Sequence, residues 1–137
     1  MGCATDDDDS GAFANEAMAV ELNWLTDVDL DLSVDVPPGL TQATDFNGSE
    51  DVLTGPGYEY FVSNRDRSES DYDGQYIITV TLTTDGAKPP VQPIPFDVTI
   101  SALGWREKIT GSVRSVENEL THQVTVTKTG NRILIDN

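Results

Sequence analysis

In DVDLDLSVDV, residues 27–36, aspartates at 27, 29, 31 and 35 alternate with Val28, Leu30, Leu32, Val34 and Val36. Carboxylates so spaced suggest the binding of a hard cation, since calcium takes about 6–8 oxygen ligands at about 2.3–2.6 Å. On a strand, side chains two residues apart share a face and sit roughly 6.5–7 Å from one another, so three aspartates in a straight row cannot converge on one ion. Two neighbours can, if loops bring the remaining oxygens. The EF-hand pattern does not apply, because Leu32 stands at its glycine position and Pro38 at its bidentate glutamate. The arrangement that meets the requirement is a weak calcium site at a strand end, with Asp27 and Asp29 joined by Asp71 and Asp73, or by Glu50 and Asp51. The competing reading needs no ion: the aspartates keep the outer face or edge of a strand wet and unable to pair with another chain. Like charges side by side repel by a few tenths of a kcal/mol. That repulsion favours a counter-charge, from Arg65, Arg67, Arg106, Lys108 or a cation.

Other reactive residue types are scarce. His122 is the only histidine and Cys3 the only cysteine. An intramolecular disulfide, a four-ligand zinc site resting on cysteine and a two-histidine zinc site are therefore excluded, and the position of Cys3 in the tail rules out a Cys–His nucleophile pair. No G-x-S-x-G elbow accompanies the histidine, and the turns TGPG and NGSE are not phosphate-binding loops. Acid–base hydrolysis needs only two carboxylates, but with 24 acidic residues no pair is singled out. Among the aromatics, Trp24 falls on an apolar face and reads as core. Trp105, in SALGWREK, stands where a strand ends and basic residues begin, and is the candidate ligand-binding residue.

The formal charge of −16, from 24 acidic and 8 basic residues, disfavours nucleic acid and anionic membrane surfaces as partners. At 137 residues the chain is long enough for one domain and a tail. The tail begins MGCATDDDDS. Glycine before cysteine, then an aspartate run, resembles the processed start of bacterial lipoproteins and the acidic export signal of surface lipoproteins in Bacteroidota. That resemblance implies lipidation at Cys3, attachment to the membrane through the lipid, and a place on the outer face of the outer membrane. Residues 1–16 then form a disordered acidic tether, since polyaspartate repels itself and has nothing to bury.

The elements that must position any site come next. From residue 17 the hydrophobic period is two. Met18, Val20, Leu22 and Trp24 share one face and Ala19, Glu21, Asn23 and Leu25 the other. DVDLDLSVDV is a second strand, stopped by Pro37-Pro38-Gly39. Residues 40–57 form a turn-rich connection with a short strand near 51–54, and 58–62 are strand-like. Residues 63–74 make a polar loop in which only Tyr72 suits a core. QYIITVTLT, 75–83, is the strongest strand, followed by a proline-stiffened connection. Strands are expected over 96–101, 109–116 and 121–128, with Gly130-Asn131 turning the chain into a last strand at 132–135. No stretch carries a sustained helical stripe. Seven to nine short strands predict an all-β domain over residues 17–137, a two-sheet antiparallel β-sandwich of jelly-roll or Ig-like type.

ELNWLTDVDLDLSVDVPPG, GPGYEYF, DGQYIITVTL and IPFDVTISALGW with TGSV together resemble, over roughly residues 21–113, the pattern of bacterial pre-peptidase C-terminal-like domains and related domains of unknown function. The resemblance implies a jelly-roll-like accessory or binding module, sometimes stabilised by calcium, and not an enzyme. The expectation is thus a non-catalytic surface module that binds a glycan, peptide or partner protein. The alternatives are a scaffold component of an envelope complex and an acid-pair hydrolase.

Overall fold

The structure, a computed structural model, describes residues 13, 15–26, 28–48, 57–83, 92–114 and 120–136. Among the described residues, alternation of apolar and polar side chains yields nine strands: β1 (Ala19–Trp24), β2 (Asp29–Asp35), β3 (Phe46–Gly48), β4 (Gly57–Ser63), β5 (Gly74–Thr83), β6 (Ile94–Ala102), β7 (Trp105–Val113), β8 (Thr121–Thr129) and β9 (Arg132–Asp136). They form a five-stranded sheet, β3-β4-β1-β6-β7, and a four-stranded sheet, β2-β5-β8-β9, with every pairing antiparallel. This is the two-sheet sandwich that the period-two pattern predicts.

The inner faces supply the core. Val20, Leu22, Phe96, Val98 and Ile100 come from one sheet, and Leu30, Tyr76, Ile78, Val80 and Val126 from the other, all nearly inaccessible. Burying side chains of this size contributes about 1.5–3 kcal/mol each. Two hairpins owe their sharpness to positive φ. Leu103 (φ 49°) and Gly104 (φ 93°) turn β6 into β7, while Gly130 (φ 60°) opens the two-residue turn between β8 and β9.

Three elements differ from the sequence expectation. A single helical turn, α1 (Gln42–Asp45), and the short strand β3 lie within the connection expected over 40–57; the strand expected near 51–54 lies outside the described residues. β7 begins at Trp105, well before residue 109, because the tight Leu103-Gly104 turn lets WREK pair at once with β6. The polar loop 63–74 holds a 3-10 turn at Glu69–Tyr72, in which Tyr72 is fully buried. Tyr72 donates to Asp45 O at 3.2 Å, and the Tyr76 hydroxyl donates to Tyr72 O at 2.6 Å.

The chain is already docked at the start of the domain. Phe13 lies against Tyr60, with ring centroids 4.9 Å apart. Glu16 takes two hydrogen bonds from Arg65 and, through its carbonyl, one from Leu103 N. Phe13 and Glu16, on the tail side of the expected boundary, thus make contacts with the domain.

Candidate functional site

The outer face of the five-stranded sheet is where polar and aromatic side chains gather. Antiparallel register sets Asn23 between Tyr58 on β4 and Asp97 on β6, and Glu21 between Tyr60 and Thr99. Thr99 in turn faces Lys108 on β7, with Arg106 two residues away on the same face. These side chains project together because each strand alternates and each is held in register by the ladder. The backbone of β1 and β6 is consumed by neighbours on both sides, so this face presents side chains alone.

Two concavities meet there. One, of about 570 Å³, is lined by Trp24, Leu25, Gly57, Tyr58, Pro95 and Phe96 together with Asn23 and Asp97. The other, of about 300 Å³, is lined by Thr99, Arg106 and Lys108 and shares Asn23 and Asp97 with the first. The result is a groove across the strands, apolar at one end and cationic at the other. Leu25, 85% exposed, and the partly exposed Tyr58 stand on its apolar part. The groove depends on Gly57, where a Cβ would lie 2.2 Å from the Trp24 ring. Trp24 itself is buried, as its inward position predicts, and its indole N–H donates to Val28 O at 2.9 Å.

Glu21 lies on this face yet is only 6% exposed. Burial pushes its carboxyl above the usual carboxylate range, opposed by the Tyr58 hydroxyl, which donates to Glu21 Oε2 at 2.7 Å, and by nearby Arg106. The same burial, with the bond to Glu21 and its charge, raises the Tyr58 phenol above its ordinary value. Glu21 is thus a fixed acceptor that holds the Tyr58 ring in place. Sequence reasoning put Glu21 on the hydrated side of its strand. Its one signal was position, in the first strand among residues that all prove buried except Asn23.

The aspartate row resolves differently along its length. Asp35 is exposed, as a wet strand face predicts, but Asp29 is 8% exposed. β2 is an edge strand, and Glu59 reaches it from β4 of the opposite sheet, accepting from Leu32 N at 2.9 Å. Carboxylate oxygens of Asp29, Asp31 and Glu59 lie within 4.8 Å of one another. An ion at calcium–oxygen distances allows its ligands to stand up to about 5 Å apart. The Thr83 hydroxyl donates to Asp31 Oδ2, whereas Asp31 Oδ1 is buried without a hydrogen-bond partner.

Of the expected set Asp27, Asp29, Asp71 and Asp73, Asp29 and Asp73 do not come together. Asp73 precedes Gly74 at one end of β5, while Asp29 pairs with Thr83 at the other end. At about 3.3 Å per residue the two stand on the order of 30 Å apart. Asp71 is exposed in the 3-10 turn, and Asp27, Glu50 and Asp51 lie outside the described residues. Asp73 instead accepts from buried Lys128 Nζ at 2.8 Å and from Gly130 N at 2.9 Å. Partial burial alone would raise its pKa, but these two bonds outweigh it and hold the carboxyl below the ordinary range.

Trp105 is half exposed at the start of β7, and its Nε1 donates to Glu107 Oε2 at 2.8 Å. With Arg132, Ile133 and exposed Leu134 it lines a shallow depression of about 390 Å³ where the outer strands of the two sheets, β7 and β9, approach. It shares no lining residue with the cross-strand groove. His122 is half-buried, edge-on to Phe96 at 5.3 Å. Cys3 lies outside the described residues. Among those that are described, no helix is long and apolar enough to cross a membrane. No family model, curated protein or solved structure matches the chain.

Proposed function

We propose that this protein is a non-catalytic binding module that takes a glycan in the groove across β4, β1, β6 and β7. The supporting observation is the groove's composition: Tyr58 and Leu25 beside the planar or hydroxylic groups of Asn23, Asp97, Thr99 and Arg106. Sugar rings offer apolar faces and a rim of hydroxyls, and that combination suits such a surface. A peptide in extended form gains most of its affinity from a free strand edge, whereas here the central backbone is fully paired. The resemblance to pre-peptidase C-terminal-like accessory domains points the same way. So does the tail, whose Gly2-Cys3 and aspartate run suit a lipid-anchored protein on the outer membrane surface. Mass spectrometry of the native protein tests that last point, an unmodified Cys3 counting against it.

Glycan-array binding followed by titration calorimetry tests the main reading. Tyr58→Ala and Asn23→Ala should each weaken the best glycan about tenfold, the worth of one well-made contact, with the fold intact by circular dichroism. Binding that survives both changes but is lost in Trp105→Ala would move the site to the β7–β9 depression.

A second reading concerns Asp29, Asp31 and Glu59, favoured by the buried and unsatisfied Asp31 Oδ1. A calcium ion held by these carboxylates would join β2 to β4 and so tie the two sheets together at one side. Calcium should then raise the melting temperature of the wild type and not of Asp31→Asn. An unchanged melting curve across a calcium titration would dismiss it.

A further inference from the structure

The cationic end of the groove narrows the class of glycan. The chain has only 8 basic residues against 24 acidic ones, and several of the described cations are committed within the fold. Arg65 holds Glu16 at 2.8 Å, Arg67 holds Asp45 at 2.9 Å, and Lys128 is buried against Asp73. Lys108 is different. Its contact with Asp97 is 3.6 Å long, and the two side chains are 61% and 42% exposed. A pair that long and that wet contributes little, so Lys108 can turn to a ligand at small cost. Arg106 lies on the same face of β7 and lines the same cavity, close enough to Glu21 to act on its ionisation. A guanidinium presents a planar fork that matches a carboxylate or sulfate, and the adjacent ammonium adds a second, adaptable donor.

Resting on the glycan reading above, we infer that the ligand is an acidic glycan, with an anionic ring substituent, a carboxylate or a sulfate ester, seated between Arg106 and Lys108. Asn23 and Thr99 take hydroxyls of the same or the adjoining residue, and the next ring lies against Tyr58 and Leu25. The division of the groove into a polar part and a larger apolar part fits a short run of sugars with the acid at one end. Asp97, shared by both parts, disfavours a ligand with an anion on every ring, because a second charge would fall beside its carboxylate. The preferred glycan therefore carries a neutral ring next to the acidic one, on the apolar side of the groove.

The test is calorimetric titration of the full chain with a panel of uronate and sulfated oligosaccharides, each beside its carboxyl-reduced or desulfated twin and beside neutral oligosaccharides of equal length. At least one acidic member should bind about tenfold or more tightly than its neutralised twin, as a charge-assisted contact requires. Which treatment abolishes the preference identifies the anion. Arg106→Gln with Lys108→Gln should erase the difference, so that the acidic member and its neutralised twin bind this variant equally. If the twins or the neutral oligosaccharides bind as well or better, the acidic preference is wrong and the glycan reading stands. If no member of the panel binds, both fall. Both substitutions are at exposed positions of an outer strand, and an unchanged melting temperature confirms that the comparison is of folded proteins.

Discussion

At the scale of single residues, two carboxyls carry opposite pH signatures. Asp73 has a folded-state pKa below its ordinary 3.8, so its contribution is present above that value and is lost as pH falls through the lower folded one. Asp73→Asn should destabilise the protein by about 3 kcal/mol at neutral pH, because it leaves the buried Lys128 ammonium without a counter-charge, held only by neutral acceptors such as Glu69 O, and the loss should shrink in strong acid. Glu21 has the reverse sign. Its folded pKa lies above the ordinary 4.5, so its favourable contribution is present below 4.5 and is lost as pH rises through the folded value. Glu21→Gln should therefore raise the denaturation midpoint at pH 7 while changing it little near pH 4. Urea melts at pH 7 and pH 4 check Glu21, and a further series in strong acid, well below 3.8, checks Asp73. A destabilised Glu21→Gln at neutral pH would mean that the carboxylate is worth more to Tyr58 than its burial costs.

At the scale of elements, the groove rests on one close approach. Gly57→Ala would push a methyl into the Trp24 ring, and overpacking of that kind costs roughly 1–3 kcal/mol. The expected result is a lower melting temperature together with weakened glycan binding, since Trp24 and Gly57 both line the apolar end. The strands were legible because residues such as Val20, Leu22, Trp24 and Phe96, Val98, Ile100 alternate without interruption, and burial on one face enforces that period. The start of β7 was not. Trp105 to Lys108 are mostly exposed on an outer strand, so no apolar alternation marks them, and only the Leu103-Gly104 turn betrays the hairpin. The groove was illegible for a related reason. Asn23, Asp97 and Lys108 look the same in sequence whether they meet bulk water or line a cavity, and what brings them together is pairing between strands far apart in the chain. The aspartate row could be narrowed to two neighbours by strand geometry alone. Its third member, Glu59, came from the facing sheet, which spacing cannot reveal.

For the molecule as a whole, the charge of −16 sets the response to salt. Self-repulsion in a compact polyanion relaxes as counter-ions screen it. Sodium chloride should raise the melting temperature between roughly 10 and 300 mM, over which the Debye length falls from about 30 Å to about 6 Å. The same rise in Asp31→Asn would show that it comes from the general field and not from the three-carboxylate cluster; a flat profile would mean that local pairs dominate. The order of strands carries a different consequence. β1, the first strand, lies in the middle of its sheet, where Val20 meets Phe61 on one side and Ile100 on the other. Contacts so distant along the chain slow folding. A nascent polypeptide can pair β1 with β4 once residue 63 has been made, but it cannot enclose β1 between two neighbours until residue 102 has been synthesised. The sandwich closes only as the later strands arrive.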